Sequence, residues 1–362
     1  MKEIDLVFRT MFAEICQRSL DASFQSDFPV EGRFVSVPVK GKSYWYFDRP
    51  ADGKTVRTYV GPKSDPEITK RVTDFQEIKT DLKSRRKLVS TLTREAGLPA
   101  PERFTGDIVA ALSSAGLFRV RGVLVGTVAF PCYAGILGVR LPSTAMQTGD
   151  ADFAQFHSIS AAVGDSIPPI LELIRHVDPS FREMPNQGDG RMTTAFENRS
   201  RFRIEFLTPN RGSDENEGHP APMPALGGAS AQPLRFLDFL IYEPTRSVML
   251  HRNGVVVTVP APERFAVHKL IVAARRRKDD NGLLKRTKDV RQAELLVEAL
   301  GVVRRQADLA LAFSEAWKRG PSWREAIRRG FSYFPSEKTG QVREILYEGF
   351  RDIGENLANY DL

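Results

Sequence analysis

Apolar and polar residues alternate from Arg33 to Phe47 in RFVSVPVKGKSYWYF and again through TVRTYVGP, with the turn-prone ADGK between them. A period of two turns alternate side chains to one face, so the pattern predicts a β-hairpin over 33–62. From Pro66 to Ala96 the spacing becomes helical and heavily charged, including KSRRK at Lys83 to Lys87, and Gly97, Pro99 and Pro101 end it. The next stretch mixes both periods. Ile108, Val109 and Leu112 mark a short helix within Gly106 to Gly116, and Phe118 to Val125 reads as a buried strand. A helical pattern of small residues runs through Gly135, and a loop at Leu141 to Gly149 leads into a second strand at Asp150 to Phe156. Ala161 to Ile174 reads as a helix and Phe202 to Leu207 as a strand.

Thr208 to Pro233 is rich in Pro and Gly and holds almost no large apolar side chains. Such a segment buries too little surface to fix its backbone, which predicts a mobile loop over 208–233. Beyond it, strands are expected at Arg235 to Tyr242 and Val255 to Val259, with Ser247 to His251 pairing across an Asn253-Gly254 turn. From Pro262 onward the period is helical, broken at Asp279 to Gly282, at Gly320-Pro321 and at Pro335. The whole reads as an α+β chain in three parts. An N-terminal accessory region of hairpin and charged helix covers 1–104, a core of mixed sheet and helices covers 105–260, and a C-terminal helical domain covers 261–362.

Composition narrows the class. A chain of 362 residues with 41% hydrophobic and 27% charged residues has the make-up of an ordinary globular protein. The longest mostly apolar run, Val123 to Ala129, is far short of the ~20 residues that span a bilayer. The first residues, MKEIDLVFRTMFAEI, carry acids where a signal peptide would be apolar. Cys16 and Cys132 make neither a disulfide framework nor a metal knuckle. A cytoplasmic protein without a membrane partner is expected. The net charge of +7 is concentrated: Ala261 to Arg305 holds twelve Lys/Arg against six Asp/Glu. A positive patch of that kind attracts phosphate, on a nucleotide or on a nucleic-acid backbone.

Candidate chemistry lies in two short segments. Val125-Gly126-Thr127 is a strand end followed by a small residue and a hydroxyl at a helix start, where backbone amides receive anions and glycine admits a phosphate closely. Thr148-Gly149-Asp150-Ala151-Asp152 puts two carboxylates at i and i+2 on a strand, hence on one face. Two adjacent carboxylates repel unless a cation lies between them, and Mg²⁺ takes one or two carboxylates together with substrate phosphates. The five histidines, His157, His176, His219, His251 and His268, lack metal-ligand spacing. There is no G-x-x-x-x-G-K-[ST] phosphate loop.

Taken in order, these segments resemble the nucleotidyltransferase superfamily typified by DNA polymerase β. That superfamily carries Gly-Ser at a helix start, D-x-D on the next strand and a third carboxylate on a later one. Gly126 and Thr127 match the first element and Asp150 and Asp152 the second, while the third falls on Glu205 in FRIEFLTP, with Asp238 in RFLDFLIYEP as its rival. Thr stands where Ser is commoner, and Glu where Asp is. Downstream, PERFAVHKL leads through Arg275 to Lys288-Asp289. This resembles the K-L-x-x-A-x-x-R and later K-D of abortive-infection type nucleotidyltransferase toxins and related uncharacterised bacterial families. The resemblance implies a nucleotidyltransferase-like mixed sheet and transfer of an NMP from an NTP to an acceptor hydroxyl. It also implies Mg²⁺ or Mn²⁺ held by Asp150, Asp152 and Glu205. Lys269 and Arg275 would meet the nucleotide phosphates, with Asp289 holding Lys269 or an arginine in place. The basic segment 275–288 suits RNA, such as a tRNA end, as acceptor, beside protein hydroxyls or a small molecule. A nucleotidyltransferase-fold nucleotide- or RNA-binding protein without turnover is the alternative, kept open by the Glu at the third position.

Overall fold

A tight turn at Lys40-Gly41 divides the first alternating run, so the N-terminal sheet has three strands where the pattern predicts two. Both turn residues are left-handed, with φ of 49° and 79°, as a two-residue hairpin connection demands. The computed structural model describes residues 1–28, 32–51, 54–73, 75, 82–142, 146, 148–186, 188–210 and 219–361. Helix α1 (Leu6–Asp27), which the sequence reading did not anticipate, precedes strands β1 (Arg33–Val39), β2 (Lys42–Ala51) and β3 (Lys54–Pro62). The strands form an antiparallel meander in which Phe34 faces Phe47 and Tyr46 faces Tyr59. Phe28, Phe47, Val60, Ile68 and Phe75 make a small aromatic core of their own here. Helices α2 (Pro66–Thr73) and α3 (Leu82–Arg94) follow, the second carrying the Lys83 to Lys87 run.

The central part holds α4 (Arg103–Ser114), β4 (Val123–Val125), α5 (Gly126–Ala129), α6 (Cys132–Leu137) and β5 (Asp150–Ala154). Next come α7 (His157–Ala162), α8 (Ile170–Arg175), β6 (Arg182–Pro185), β7 (Thr193–Glu197) and β8 (Arg203–Pro209). The part closes with β9 (Ala221–Pro222), β10 (Ser230–Leu234), α9 (Leu237–Leu240), β11 (Thr245–Met249) and β12 (Val255–Val259). The main sheet is mixed, in the order β4-β5-β8-β10-β9. Strands β5, β8 and β10 run parallel, and β4 is antiparallel to β5. One edge of β8 is shared: β7 pairs with its first half, placing Ala195 opposite Glu205, and β10 with its second, placing Gln232 opposite Leu207.

Several expectations change. Only Val123–Val125 of the expected strand over 118–125 is extended. The residues before it wind through turns, with Arg121 left-handed at φ 71°. The helix expected over 161–174 splits into α7 and α8, because Pro168 and Pro169 supply no N–H and Gly164 is left-handed. Of the loop expected over 208–233, residues 211–218 lie outside the described residues. Thr208 and Pro209 extend β8, and 219–233 contains β9, a 3₁₀ turn at Pro224–Leu226 and most of β10. Its alanines, small rather than polar, pack closely: Met223, Ala225, Leu226 and Ala231 are buried. Ala225 is fixed at both ends, its N–H donating to Ser160 Oγ and its carbonyl accepting from Ile167 N–H. The strand expected at 235–242 is instead the short helix α9, entered through a left-handed Phe236.

The rest is helical: α10 (Pro262–Arg275), α11 (Asp280–Val302), α12 (Gln306–Lys318), α13 (Pro321–Phe331) and α14 (Ser336–Asp352). The breaks expected at Gly320-Pro321 and at Pro335 are present, while the one expected at Asp279 to Gly282 falls earlier, at 276–279, and Asp280 to Gly282 are already helical. Asp279 caps α11 by accepting from Gly282 N–H at 2.7 Å, and Pro321 opens α13 after a left-handed Gly320. An additional break follows α11, where Arg304 is left-handed at φ 57°. Helix α10 is the central one. A Cβ at Gly330 of α13 would stand 2.2 Å from Leu270 O, so only glycine permits that crossing. One continuous apolar core runs from Ile4 to Tyr360 and packs the helices against the sheet.

Candidate active site

Strand β5 lies between β4 and β8, and its register gathers the acids. Asp152 is paired with Val125 on one side and with Glu205 on the other. The period of the strand carries Asp150 onto the same face. The chain leaves β4 through Gly126 at φ 67°, and a Cβ there would stand 2.6 Å from Asp152 Oδ2. The glycine is therefore required twice, by its backbone conformation and by the carboxylate filling the space of its side chain.

The acids differ in their surroundings. Asp150 accepts from the Thr148 hydroxyl and has Lys285 Nζ 4.0 Å away. Glu205 Oε1 is 2.7 Å from Arg203 Nε. Asp152 has no hydrogen-bonded or ion-paired partner among the described residues. It lines the cleft and is partly shielded from solvent. Burial, and then the charges of Asp150 and Glu205, push its pKa up to about 7 against the opposing pull of Lys269 and Lys285.

The facing wall is built by α10 and α11. Asp289 is completely buried and accepts from Lys269 Nζ at 2.6 Å and from Arg276 Nε at 2.7 Å. Burial raises its pKa, but the two cations outweigh burial and hold the carboxyl below its ordinary value. His268 also lines the cleft; packing, then Lys269, lower its pKa to about 3, so the ring is neutral. Lys288 lies alongside, its pKa lowered by burial and then by Lys269. Arg275 turns away from this group and lies 5.1 Å over the Phe236 ring.

Together these walls enclose a cleft of about 370 Å³. The cleft contains Gly126, Thr127, Asp150, Asp152, Glu205, Lys269 and Arg275 from the sequence reading, and Asp289 stands behind Lys269. Asp238 is not part of it: it belongs to α9 and pairs with Arg319. Arg276, Lys285 and Lys288, expected only as members of the basic segment 275–288, also line the cleft. The K-L-x-x-A-x-x-R spacing counted from Lys269 ends on Arg276, two helical turns on and so on the same face. Lys285 and Lys288, three apart on α11, share a face by the same rule.

A larger cavity, about 530 Å³, lies between α1, α2, β3 and β12. Its charges are largely matched, Arg246 to Asp65 and Glu67 and Arg71 to Asp21 and Glu67. Cys132 is buried filler, its thiol pushed up to about 12 by burial.

The acid set fits a hard divalent cation in donor chemistry: oxygen ligands only, with like charges crowding Asp152. The side chains are not drawn into a cage, and among the described residues no three of His, Cys, Asp or Glu stand at metal-holding geometry. Among the described residues no helix is long and apolar enough to cross a membrane.

A family model described as nucleotidyltransferase matches residues 103–318, a span that takes in every cleft residue named above. No curated protein and no solved structure matches the chain.

Proposed function

We propose, from the premise that the chain belongs to this nucleotidyltransferase family, that it moves an NMP from an NTP to a hydroxyl of a separate acceptor with Mg²⁺ or Mn²⁺. The observation that carries this reading is the meeting of Asp150, Asp152 and Glu205 on one sheet face, with Gly126 packed against Asp152. Asp150, Asp152 and Glu205 are the residues that would hold the cation, which when bound supplies neutralisation of charge on the attacking and leaving oxygens. The remaining work belongs to the chain. The Gly126 amide and the Thr127 hydroxyl receive the triphosphate, and Lys285 and Lys288 offset its charge. Lys269, held by Asp289, adds a fixed positive charge behind them.

In the transfer, the acceptor oxygen bonds to the α-phosphorus as the bond from that phosphorus to the bridging oxygen breaks. The bonding pair leaves with pyrophosphate, and the hydroxyl proton passes to Glu205. The cations of 275–288 favour RNA, such as a tRNA end, as acceptor, and a steep fall of RNA binding with salt is the expected signature.

The test is a transfer assay with α-³²P-labelled NTPs, Mg²⁺ or Mn²⁺, and cellular RNA and protein, run beside Asp150→Ala. Label on RNA with the unaltered chain alone is the expected result. The pairing of Glu205 with Arg203 favours a second reading, nucleotide or RNA binding without turnover. NTP binding with no label under any condition would establish that reading instead.

A further inference from the structure

In an in-line displacement the attacking oxygen reaches phosphorus from the side opposite the leaving group. With the triphosphate at Gly126 and Thr127, the acceptor must enter from across the carboxylates. The register shows what lies there. From Gly126 the cleft passes Asp152, then its partner Glu205, then Leu207 two residues along β8, and reaches the end of β10 at Leu234. Its far end is therefore the corner Leu234-Arg235-Phe236, just before α9.

That corner has three unusual features. Leu234 lines the cleft yet is 41% exposed, a large apolar side chain presented to solvent beside a charged site. Phe236 is left-handed at φ 67°, a conformation an aromatic residue adopts only when its surroundings impose it. The surroundings include Trp323, whose ring meets Phe236 edge-on at 4.5 Å between centroids. Two guanidinium groups lie over the same phenyl ring, Arg235 at 5.5 Å and Arg275 at 5.1 Å. Phe236 is itself buried beneath these groups, so the apolar ledge the corner offers is Leu234, bordered by two cations with flat faces. A nucleotide has the matching chemistry, a π-face for the ledge and a phosphodiester for the arginines. A serine or tyrosine of a protein acceptor brings no phosphodiester.

We propose that the Leu234-Arg235-Phe236 corner, with Arg275, is the acceptor subsite, and that it takes the terminal nucleotide of a single-stranded nucleic-acid end. The base rests on Leu234 and the preceding phosphate lies against Arg235 and Arg275. This rests on the transfer reading above for the direction of entry, but it is tested by binding, which needs no turnover.

The probe is a 5′-fluorescein-labelled, twelve-nucleotide single-stranded oligoribonucleotide with a free 3′ hydroxyl, and a second copy with an abasic 3′ end. Binding is followed by anisotropy with the full chain, with Leu234→Glu and with Leu234→Ala; the exposure of Leu234 makes both substitutions compatible with folding, and circular dichroism checks this. Leu234→Glu should weaken binding of the intact oligonucleotide roughly tenfold or more, and Leu234→Ala less. The abasic copy should bind the unaltered chain more weakly by a similar factor and lose little further with Leu234→Ala, since the truncation and the missing base remove one contact. NTP binding, measured by thermal shift, should be unchanged in Leu234→Ala. Equal binding of the two oligonucleotides, or loss of NTP binding with oligonucleotide binding intact, would overturn the assignment, the latter by making the corner the seat of the incoming base. Transfer of label to protein in preference to RNA would overturn it too. Failure of the transfer reading shows differently, as absent label with the binding pattern retained.

Discussion

On the sheet wall of the cleft, Asp152 has two carboxylates for neighbours and no hydrogen-bonded partner among the described residues; on the helix wall, Asp289 has Lys269 at 2.6 Å and Arg276 at 2.7 Å. Asp289 is fully buried and Asp152 only partly so, but burial pushes both carboxyls the same way and does not separate them. The direction of their titration does. Asp152 is pushed up to about 7 by burial and like charges, while the cations overcome burial and hold Asp289 low. Asp289 already has its counter-ions and acts as a strut, fixing Lys269 and Arg276. Asp152 has no such contact, and Lys269 and Lys285 act on it only at a distance, so a bound cation or a proton would relieve the repulsion from Asp150 and Glu205. A residue matched within the fold positions others, and one left unmatched awaits something from outside.

Asp152→Asn puts the largest strain on this contrast. Transfer should fall by about 1,000-fold or more, as loss of several kcal/mol of metal-borne stabilisation implies. The melting temperature should stay level or rise, because one of three repelling charges is gone. Full activity in initial-rate assays would end the catalytic assignment. Asp289→Ala should show the opposite profile: a loss of about 3 kcal/mol in urea unfolding, because two cations lose a buried partner. An unchanged unfolding midpoint would remove Asp289 from its structural role. Gly126→Ala tests the join between the walls at the proposed triphosphate site. A left-handed Ala whose Cβ meets Asp152 Oδ2 should cost about 2 kcal/mol of stability and also lower transfer, so a neutral result in both assays would contradict the packing.

The smallest effect concerns His268. Its folded pKa lies near 3, below the ordinary histidine value of about 6.5. Between those values the unfolded chain binds the extra proton and the folded chain does not. Stability is therefore full above pH ~6.5 and declines by up to about 1.4 kcal/mol per pH unit as the pH falls below it. Urea midpoints at pH 7.5 and 5.5 should differ less in His268→Gln than in the unaltered chain, and an equal difference would show that His268 titrates normally.

What was legible in the sequence follows the range of the interactions. The i, i+2 spacing of Asp150 and Asp152 and the glycine after β4 are local signals, and the structure places them together. The α+β class and the helical run after Pro262 are also local, since each rests on a period within a single segment. The segment 219–234 was illegible because its order comes from outside it, from β8 and from Ser160 and Ile167. Phe236 is similar: its neighbours look like a strand by composition, and packing against Trp323 favours a bend. The motif led to the expectation that Asp289 holds Lys269 or an arginine; that it takes both Lys269 and Arg276 depends on a helix pairing that no local pattern encodes.

The pairing of β5 with β8 has a consequence for how this protein regains its cleft after denaturation. Asp152 and Glu205 are neighbours only through a parallel crossover that must first close over α7, α8, β6 and β7. Closing such a span costs chain entropy before any strand pair rewards it, whereas the helices from α10 onward form from near-neighbour contacts. In a refolding time course, ellipticity from those helices should recover ahead of the acid pair, and nucleotide-dependent fluorescence should be the last signal to return.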